Sequence, residues 1–90
     1  MNKNRRKAIQ DVIYKIHELE STMINILDDI EAIKDEEEEY LNNIPENLQN
    51  SSKYETAENA VNELESAYND FENAKDSLDD VLSALENASE

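Results

Sequence analysis

The stretch that decides the fold is NNIPENLQNSSKYE, residues 42–55. It contains Pro45, the only proline of the chain. Because proline disfavours a helical conformation at the residue before it, a helix that enters this stretch is expected to end near Asn43. Proline also suits the first position of a helix, so PENL is predicted to form one short turn. That turn would place Ile44 and Leu48 over the end of a hydrophobic core.

A helix start signal follows the proline. Ser52 and Glu55 match a capping box, in which the serine side chain bonds a free amide and the glutamate reaches back to the cap. We therefore predict one helical hairpin over residues 1–90, with a first helix over about 3–43, a joint over 44–52 and a second helix over about 53–88. The absence of glycine supports long helices, because tight turns usually need it.

The first helix carries a heptad pattern, written abcdefg with Ile9 at position a. Apolar residues recur at alternating steps of three and four, which is typical of a coiled-coil seam. At positions a and d they are Ile9, Val12, Ile16, Leu19, Met23, Ile26, Ile30, Ile33, Tyr40 and Ile44. Further apolar residues, Ile13, Leu27 and Leu41, lie at position e and widen the stripe on one side.

The second helix has heptads of its own, with Tyr54 at position a. Its a and d positions are Tyr54, Ala57, Val61, Leu64, Tyr68, Phe71, Lys75, Leu78, Leu82 and Leu85. Folding the chain back near residue 48 pairs the two seams at positions whose numbers sum to about 97 or 98. The sequence therefore predicts an all-α fold, an antiparallel two-helix coiled-coil hairpin about 50–60 Å long.

Two unlike rows flank the seam of the second helix. The e row is acidic (Glu58, Glu65, Glu72, Asp79, Glu86), and the g row is small (Ala60, Ala67, Ala74, Val81, Ala88). In an antiparallel pair e positions flank e positions and g flank g, so two helices alone leave apolar stripes exposed. We expect the hairpin to form a homodimer, a four-helix bundle. The alternative is that one stripe receives a helix of a different protein.

Charge is distributed unevenly along the chain. Residues 1–15 carry five basic groups and one acid, Asp11, which gives a net charge of +4. Residues 16–90 carry a net charge of −19, and the whole chain carries −15. A surface this acidic repels nucleic acid and anionic membranes. It suits a basic protein partner or serves solubility alone. The basic residues 3–7 are expected to lie beside Glu86, Glu90 and the carbonyl end of the second helix.

The residue types argue against an enzyme. Cysteine is absent, and His17, the only histidine, falls on an outward position without an evident nucleophile. The acidic run DEEEE at 35–39 lacks the turn and carbonyls of a calcium loop. We expect no catalytic residue, no cofactor and no metal. No apolar run is long enough for a membrane span or a signal peptide, so a bacterial cytoplasm is the expected location.

The block DEEEEYLNNIPENLQNSSKYETAENAVNELESA, residues 35–67, resembles a family of short acidic uncharacterised proteins encoded by phages and prophages of Gram-positive bacteria. Its members are similar in the acidic run that ends in an aromatic residue, in the NIPENLQ joint and in a second helix rich in Ala and Glu. The resemblance implies a phage or mobile-element setting inside a bacterium, and it brings no catalytic residues.

Two functions of different classes follow. The first is an inhibitor that binds a nucleic-acid-binding bacterial protein by offering carboxylates in place of phosphates, of the anti-CRISPR or anti-restriction type. Spreading −19 along about 42 Å of rod gives about one charge per 2.2 Å, against about 1.7 Å in duplex DNA. The predicted contact residues are Asp28, Asp29, Asp35, Glu36, Glu38, Glu39, Glu58, Glu65, Glu72 and Asp79. The second is a structural coiled-coil adaptor or assembly protein that acts through its apolar stripes.

Overall fold

The computed structural model describes residues 2–90 and confirms the helical hairpin. Helix α1 runs over Lys3–Asn42, a 3-10 turn over Glu46–Leu48, and helix α2 over Ser52–Ala88; the described residues form no strand. Both helix ends at the joint lie one residue from their predicted places. The heptads and the single proline were therefore sufficient to predict the architecture.

Each helix begins with a side chain that caps its N-terminus, Asn2 for α1 and Ser51 for α2. The Oδ1 atom of Asn2 accepts a hydrogen bond from the amide of Arg5 at 2.8 Å, which caps α1. At the start of α2 the cap is Ser51, whose Oγ accepts from the amide of Tyr54 at 3.3 Å. The predicted capping box at Ser52 is therefore wrong by one residue. Either serine can bond the amide three positions later, and Glu55 still places a negative charge in the first turn.

The joint folds as the proline requires. Pro45 lies in an extended conformation (φ −56°, ψ 145°), and its carbonyl accepts from the amide of Leu48 at 2.8 Å, which closes the 3-10 turn. Ile44 is half-buried at the end of the core, as predicted, but Leu48 is exposed. Leu48 lines an open pocket beside the joint with Tyr40, Ile44 and Pro45, so it does not close the end of the core.

The hairpin is a thin rod of 70 × 16 × 13 Å. The two chain ends meet at the end away from the joint, where Gln10 donates from Nε2 to Oγ of Ser89 at 3.4 Å. This contact joins positions whose numbers sum to 99, close to the predicted register. The basic end of α1 lies beside the end of α2, as predicted, but none of the lysines in residues 2–90 lies within 4.0 Å of a carboxylate.

The two helices use different heptad positions in the seam. In α2 the a and d residues are buried or half-buried, as predicted. In α1 the covered positions are a and e, and the buried side chains are Ile13, Met23 and Leu27. The d residues of α1 are instead between 37% and 53% exposed, namely Val12, Leu19, Ile26, Ile33 and Tyr40. The predicted a/d seam of α1 is therefore wrong: the helix is turned by about 50° around its axis.

Polar side chains also enter the seam. Glu37 and Lys75 are half-buried at a positions, and Glu20 and Lys34 are half-buried at e positions of α1. No buried side-chain nitrogen or oxygen within residues 2–90 lacks a hydrogen-bond partner, because these groups reach the edge of a seam only two helices wide. They narrow the apolar core without leaving an unpaired charge inside it.

Candidate functional site

The turn of α1 divides the hairpin into two unlike sides. On one side, the b and f positions of α1 adjoin the e row of α2. From Asp28 to Glu38 these positions are all carboxylates, whereas nearer the chain ends they include Tyr14, His17 and Ile24. We call this side the acidic edge; it consists of Asp28, Glu31, Asp35 and Glu38 of α1 with Glu58, Glu65, Glu72 and Asp79 of α2. On the other side, the d row of α1 adjoins the g row of α2.

Tyr68 shows that the two helices contribute to the same acidic edge. Tyr68 is a half-buried residue at an a position of α2. Burial raises the pKa of Tyr68 above 10.0, and the neighbouring carboxylates of Glu31, Glu72 and Asp28 raise this pKa further, while Lys34 opposes them. A negative charge disfavours ionisation of the phenol, so the shift reports carboxylates of both helices around one side chain.

The structure brings together only part of the predicted contact set. Asp28, Asp35 and Glu38 lie on the acidic edge with the four e-row carboxylates of α2. Glu39, at position c, points directly away from the seam. Asp29 and Glu36, at position g of α1, lie on the opposite side of the hairpin, so one flat partner surface cannot contact all the predicted residues.

Glu31 belongs to the edge and was missed from the sequence. If the seam of α1 lay at a and d, as the sequence predicted, its b positions would lie far from α2. Glu31, at a b position, was therefore not expected to share a surface with α2. With the seam at a and e, position b becomes the residue next to the seam. The apolar residues Ile13 and Leu27 in the e row are a partial signal for this seam, but Glu20 and Lys34 interrupt the same row.

The carboxylates of the acidic edge are available for contact. All are exposed except Glu38, which is half-buried. No lysine among residues 2–90 forms an ion pair with them. His17 Nδ1 lies 3.3 Å from Oε1 of Glu20, a residue of the seam that does not belong to the acidic edge. A basic partner would therefore not have to break internal ion pairs with lysine in order to bind.

The charge density along the rod is lower than the sequence suggested. A net charge of −15 over 70 Å gives one charge per about 4.7 Å, whereas duplex DNA carries about one per 1.7 Å. The earlier value was too high because it placed the charge of both helices on part of one helix. The density is greatest in the joint half, residues 23–69, where 13 acids against Lys34 and Lys53 give −11. Over about 35 Å this is one charge per about 3.2 Å, close to the roughly 3.4 Å of a single nucleic-acid strand.

The opposite side is apolar, and we call it the apolar flank. It consists of Val12, Leu19, Ile26, Ile33 and Tyr40 of α1 with Ala60, Ala67, Ala74, Val81 and Ala88 of α2. A pocket beside the joint is lined by both Tyr40 and Lys53, a d residue of α1 and a g residue of α2, which shows that these two rows share one side. Every member of the flank except Ala60 is exposed.

Residues 2–90 contain no group of three or more potential ligands placed to hold a metal ion, and the acidic run at 35–39 is spread around α1. Within the same residues, neither helix is apolar enough over a sufficient length to cross a membrane.

No protein-family model, no curated protein and no solved structure matches this chain.

Proposed function

We propose that this chain is a non-enzymatic protein-binding module whose acidic edge engages a basic, nucleic-acid-binding bacterial protein and keeps nucleic acid from it. The observation that carries the proposal is the acidic edge itself, a row of exposed carboxylates drawn from both helices and free of lysine partners. Rigid helices hold these groups in fixed positions. A partner therefore binds a preformed surface and does not have to order a flexible acidic chain.

The spacing of charge favours competition with a single nucleic-acid strand for the basic groove of a partner protein. In the joint half the net charge density is close to that of one nucleic-acid strand and about half that of a duplex. The favoured targets are proteins with a basic groove that follows a single strand or one strand of a duplex. A groove that encloses both strands would find too few negative charges on this rod.

The resemblance of residues 35–67 to phage and prophage proteins supports a setting within this proposal. In the cytoplasm of an infected bacterium, an inhibitor of this kind would act on restriction enzymes, CRISPR effectors, repressors or polymerases. The anti-restriction or anti-CRISPR role is the narrowest form of the proposal, and it depends on that setting as well as on the acidic edge.

A second candidate function is favoured by the apolar flank. An adaptor or assembly protein that docks through Val12, Leu19, Ile26 and Ile33 would use the charge only for solubility. Salt separates the two functions. Binding through carboxylates weakens steeply as salt rises, because the attraction is screened, whereas apolar docking does not.

The test is a charge reversal with a matched control on the same helix. The variant Glu65→Lys/Glu72→Lys changes the acidic edge, and Glu63→Lys/Asp70→Lys makes the same change of net charge at exposed positions on the other side of α2. Each protein is immobilised and exposed to host lysate at low and high salt. Retained proteins are identified by mass spectrometry and tested for binding to single-stranded and duplex oligonucleotides.

The proposal expects the unaltered chain and the control to retain the same basic protein at low salt and to block its oligonucleotide binding. The edge variant should lose this protein by at least tenfold. Equal capture by both variants, or capture that resists high salt, would reject the acidic edge as the binding surface.

A further inference from the structure

The apolar flank is a large exposed surface that the proposed function leaves unexplained. It combines a row of bulky side chains on α1 with a row of alanines and one valine on α2. The bulky row is between 37% and 53% exposed, although these are residue types that proteins normally bury. Both rows repeat every seven residues, so the surface is continuous along the rod.

The two rows are centred at the same height. The α1 row runs from Val12 to Tyr40 with Ile26 at its middle, and the α2 row runs from Ala60 to Ala88 with Ala74 at its middle. The Gln10–Ser89 hydrogen bond pairs positions that sum to 99, and Ile26 and Ala74 sum to 100. Because the two middles lie at the same level, one two-fold axis through this level can place each row in register against the same row of a second hairpin. That is the symmetry that a self-complementary dimer interface requires.

We propose that the apolar flank is the interface of a homodimer in which two hairpins pack end over end. In this arrangement the two α1 helices lie antiparallel, and so do the two α2 helices. Ile26 meets Ile26 of the second copy, Leu19 meets its Ile33, and Val12 meets its Tyr40. The alanine row of α2 lets the two α2 helices approach closely. Both acidic edges stay outside the resulting four-helix bundle.

The area of the flank is sufficient for a stable dimer. From Val12 to Tyr40 the helix rises about 42 Å, and the hairpin is 16 Å wide. The strip covers about 670 Å² on each hairpin and about 1,300 Å² on both, within the roughly 1,200–2,000 Å² of stable, specific interfaces. A single foreign helix would cover only part of this two-helix width, which favours a second hairpin as the occupant.

Charge selects the end-over-end orientation. The joint half carries −11, so the terminal half, residues 2–22 and 70–90, carries the remaining −4 of the total −15. Packing with both joints at one end would superimpose the two −11 halves, whereas end-over-end packing sets each against a −4 half. It also brings Lys15, at the border of the flank, level with Glu36 of the second copy. These residues are exposed and of opposite charge.

The first test compares two isoleucines of similar exposure on opposite sides of the hairpin. Ile33 is 53% exposed on the apolar flank, and Ile24 is 48% exposed away from it. Sedimentation equilibrium at micromolar concentration should give twice the 10.4 kDa chain mass for the unaltered protein and for Ile24→Glu. Ile33→Glu should sediment as a monomer with unchanged helicity by circular dichroism. A monomeric unaltered protein, or a dimeric Ile33→Glu, would overturn the proposal.

The second test measures orientation and does not depend on a disruptive variant. The chain has no cysteine, so single introduced cysteines report single contacts. Mild oxidation should link Ile26→Cys to itself, and should link Val12→Cys to Tyr40→Cys in a mixture but neither to itself. Failure of Ile26→Cys to cross-link above an Ile24→Cys control would contradict the assignment. The acidic-edge charge reversal should leave the cross-linking of Ile26→Cys unchanged, so dimerisation and partner binding can fail separately.

Discussion

The acidic edge and the apolar flank are built from the same two helices, yet they offer neighbouring molecules opposite chemistry. Carboxylates line the acidic edge, and aliphatic and small side chains line the apolar flank. Between them lies a narrow seam, and the buried side chains of residues 2–90 are six: Ile13, Met23, Leu27, Ala57, Val61 and Leu82. Most of the surface of this rod is therefore available for binding, and the seam alone holds the hairpin together.

The difference between the two sides explains why α1 turns. With its seam at a and d, α1 would place Ile13 and Leu27 beside the acidic e row of α2. Turning by about 50° buries these two side chains and moves the d row beside the alanines of α2. As a result, the exposed apolar residues of α1 lie next to alanines of α2 and not next to carboxylates. It also gathers the exposed apolar residues on one side.

The largest expected change in stability comes from replacing a valine of the seam with glutamate. The same replacement at a valine of the apolar flank is the comparison. Val61 is 7% exposed in the seam, and Val81 is 44% exposed on the apolar flank of the same helix. Val61→Glu should destabilise the hairpin by at least about 3 kcal/mol, because it buries an unpaired carboxylate in the seam. Far-ultraviolet circular dichroism during thermal unfolding measures the loss.

Val81→Glu is the control for this substitution. Both valine substitutions are made in the Ile33→Glu background, so that self-association does not contribute. Val81→Glu adds the same charge and the same bulk where water reaches the side chain, so its helix content and melting should stay close to those of Ile33→Glu alone. Equal destabilisation by the two changes would mean that Val81 is as much a part of the folded core as Val61.

A smaller effect tests the composition of the acidic edge. The pKa of Tyr68 is raised above 10.0 by burial and then by Glu31, Glu72 and Asp28. Glu31→Gln should lower this pKa, because it removes a charge that disfavours the phenolate. Ultraviolet titration of the phenol, compared with a Tyr68→Phe variant, measures the change. Glu18→Gln, on the outward face of α1, should leave the titration unaltered.

The raised pKa of Tyr68 also predicts that the stability of the hairpin falls as the pH becomes alkaline. Folded Tyr68 holds its proton to a higher pH than the unfolded chain does, so its contribution is fully present below about pH 10 and is lost as the pH rises through the folded pKa. If Glu31→Gln left the titration of Tyr68 unchanged, Glu31 would not belong to the acidic edge.

The sequence predicted the helices, the joint and the register because these depend on strong local signals. Pro45 ends α1, the heptads define two stripes, and folding the chain back at the joint aligns them. The choice between Ser51 and Ser52 as the cap was beyond the sequence, since adjacent serines offer the same bond. The e-row carboxylates of α2 were predicted to line one edge because the seam of α2 follows its heptads.

The rotation of α1 could not be read from its own pattern. Every d position from Val12 to Tyr40 is apolar, whereas the e row includes Glu20 and Lys34, so the pattern favours d. The outcome depends on what α2 presents to each side, a tertiary property that periodicity within one helix does not contain. The misplacement of Asp29 and Glu36 and the omission of Glu31 follow from this single error.

The central claim, a seam at a and e of α1 that separates the two sides, is tested most directly by two leucine truncations. Leu27 is 7% exposed and Leu19 is 49% exposed. Urea unfolding of Leu27→Ala and Leu19→Ala is measured in the Ile33→Glu background, so that self-association does not contribute. We predict a loss of about 2–4 kcal/mol for Leu27→Ala and less than about 1 kcal/mol for Leu19→Ala. An equal loss, or a larger one at Leu19, would return the seam to a and d and contradict the account.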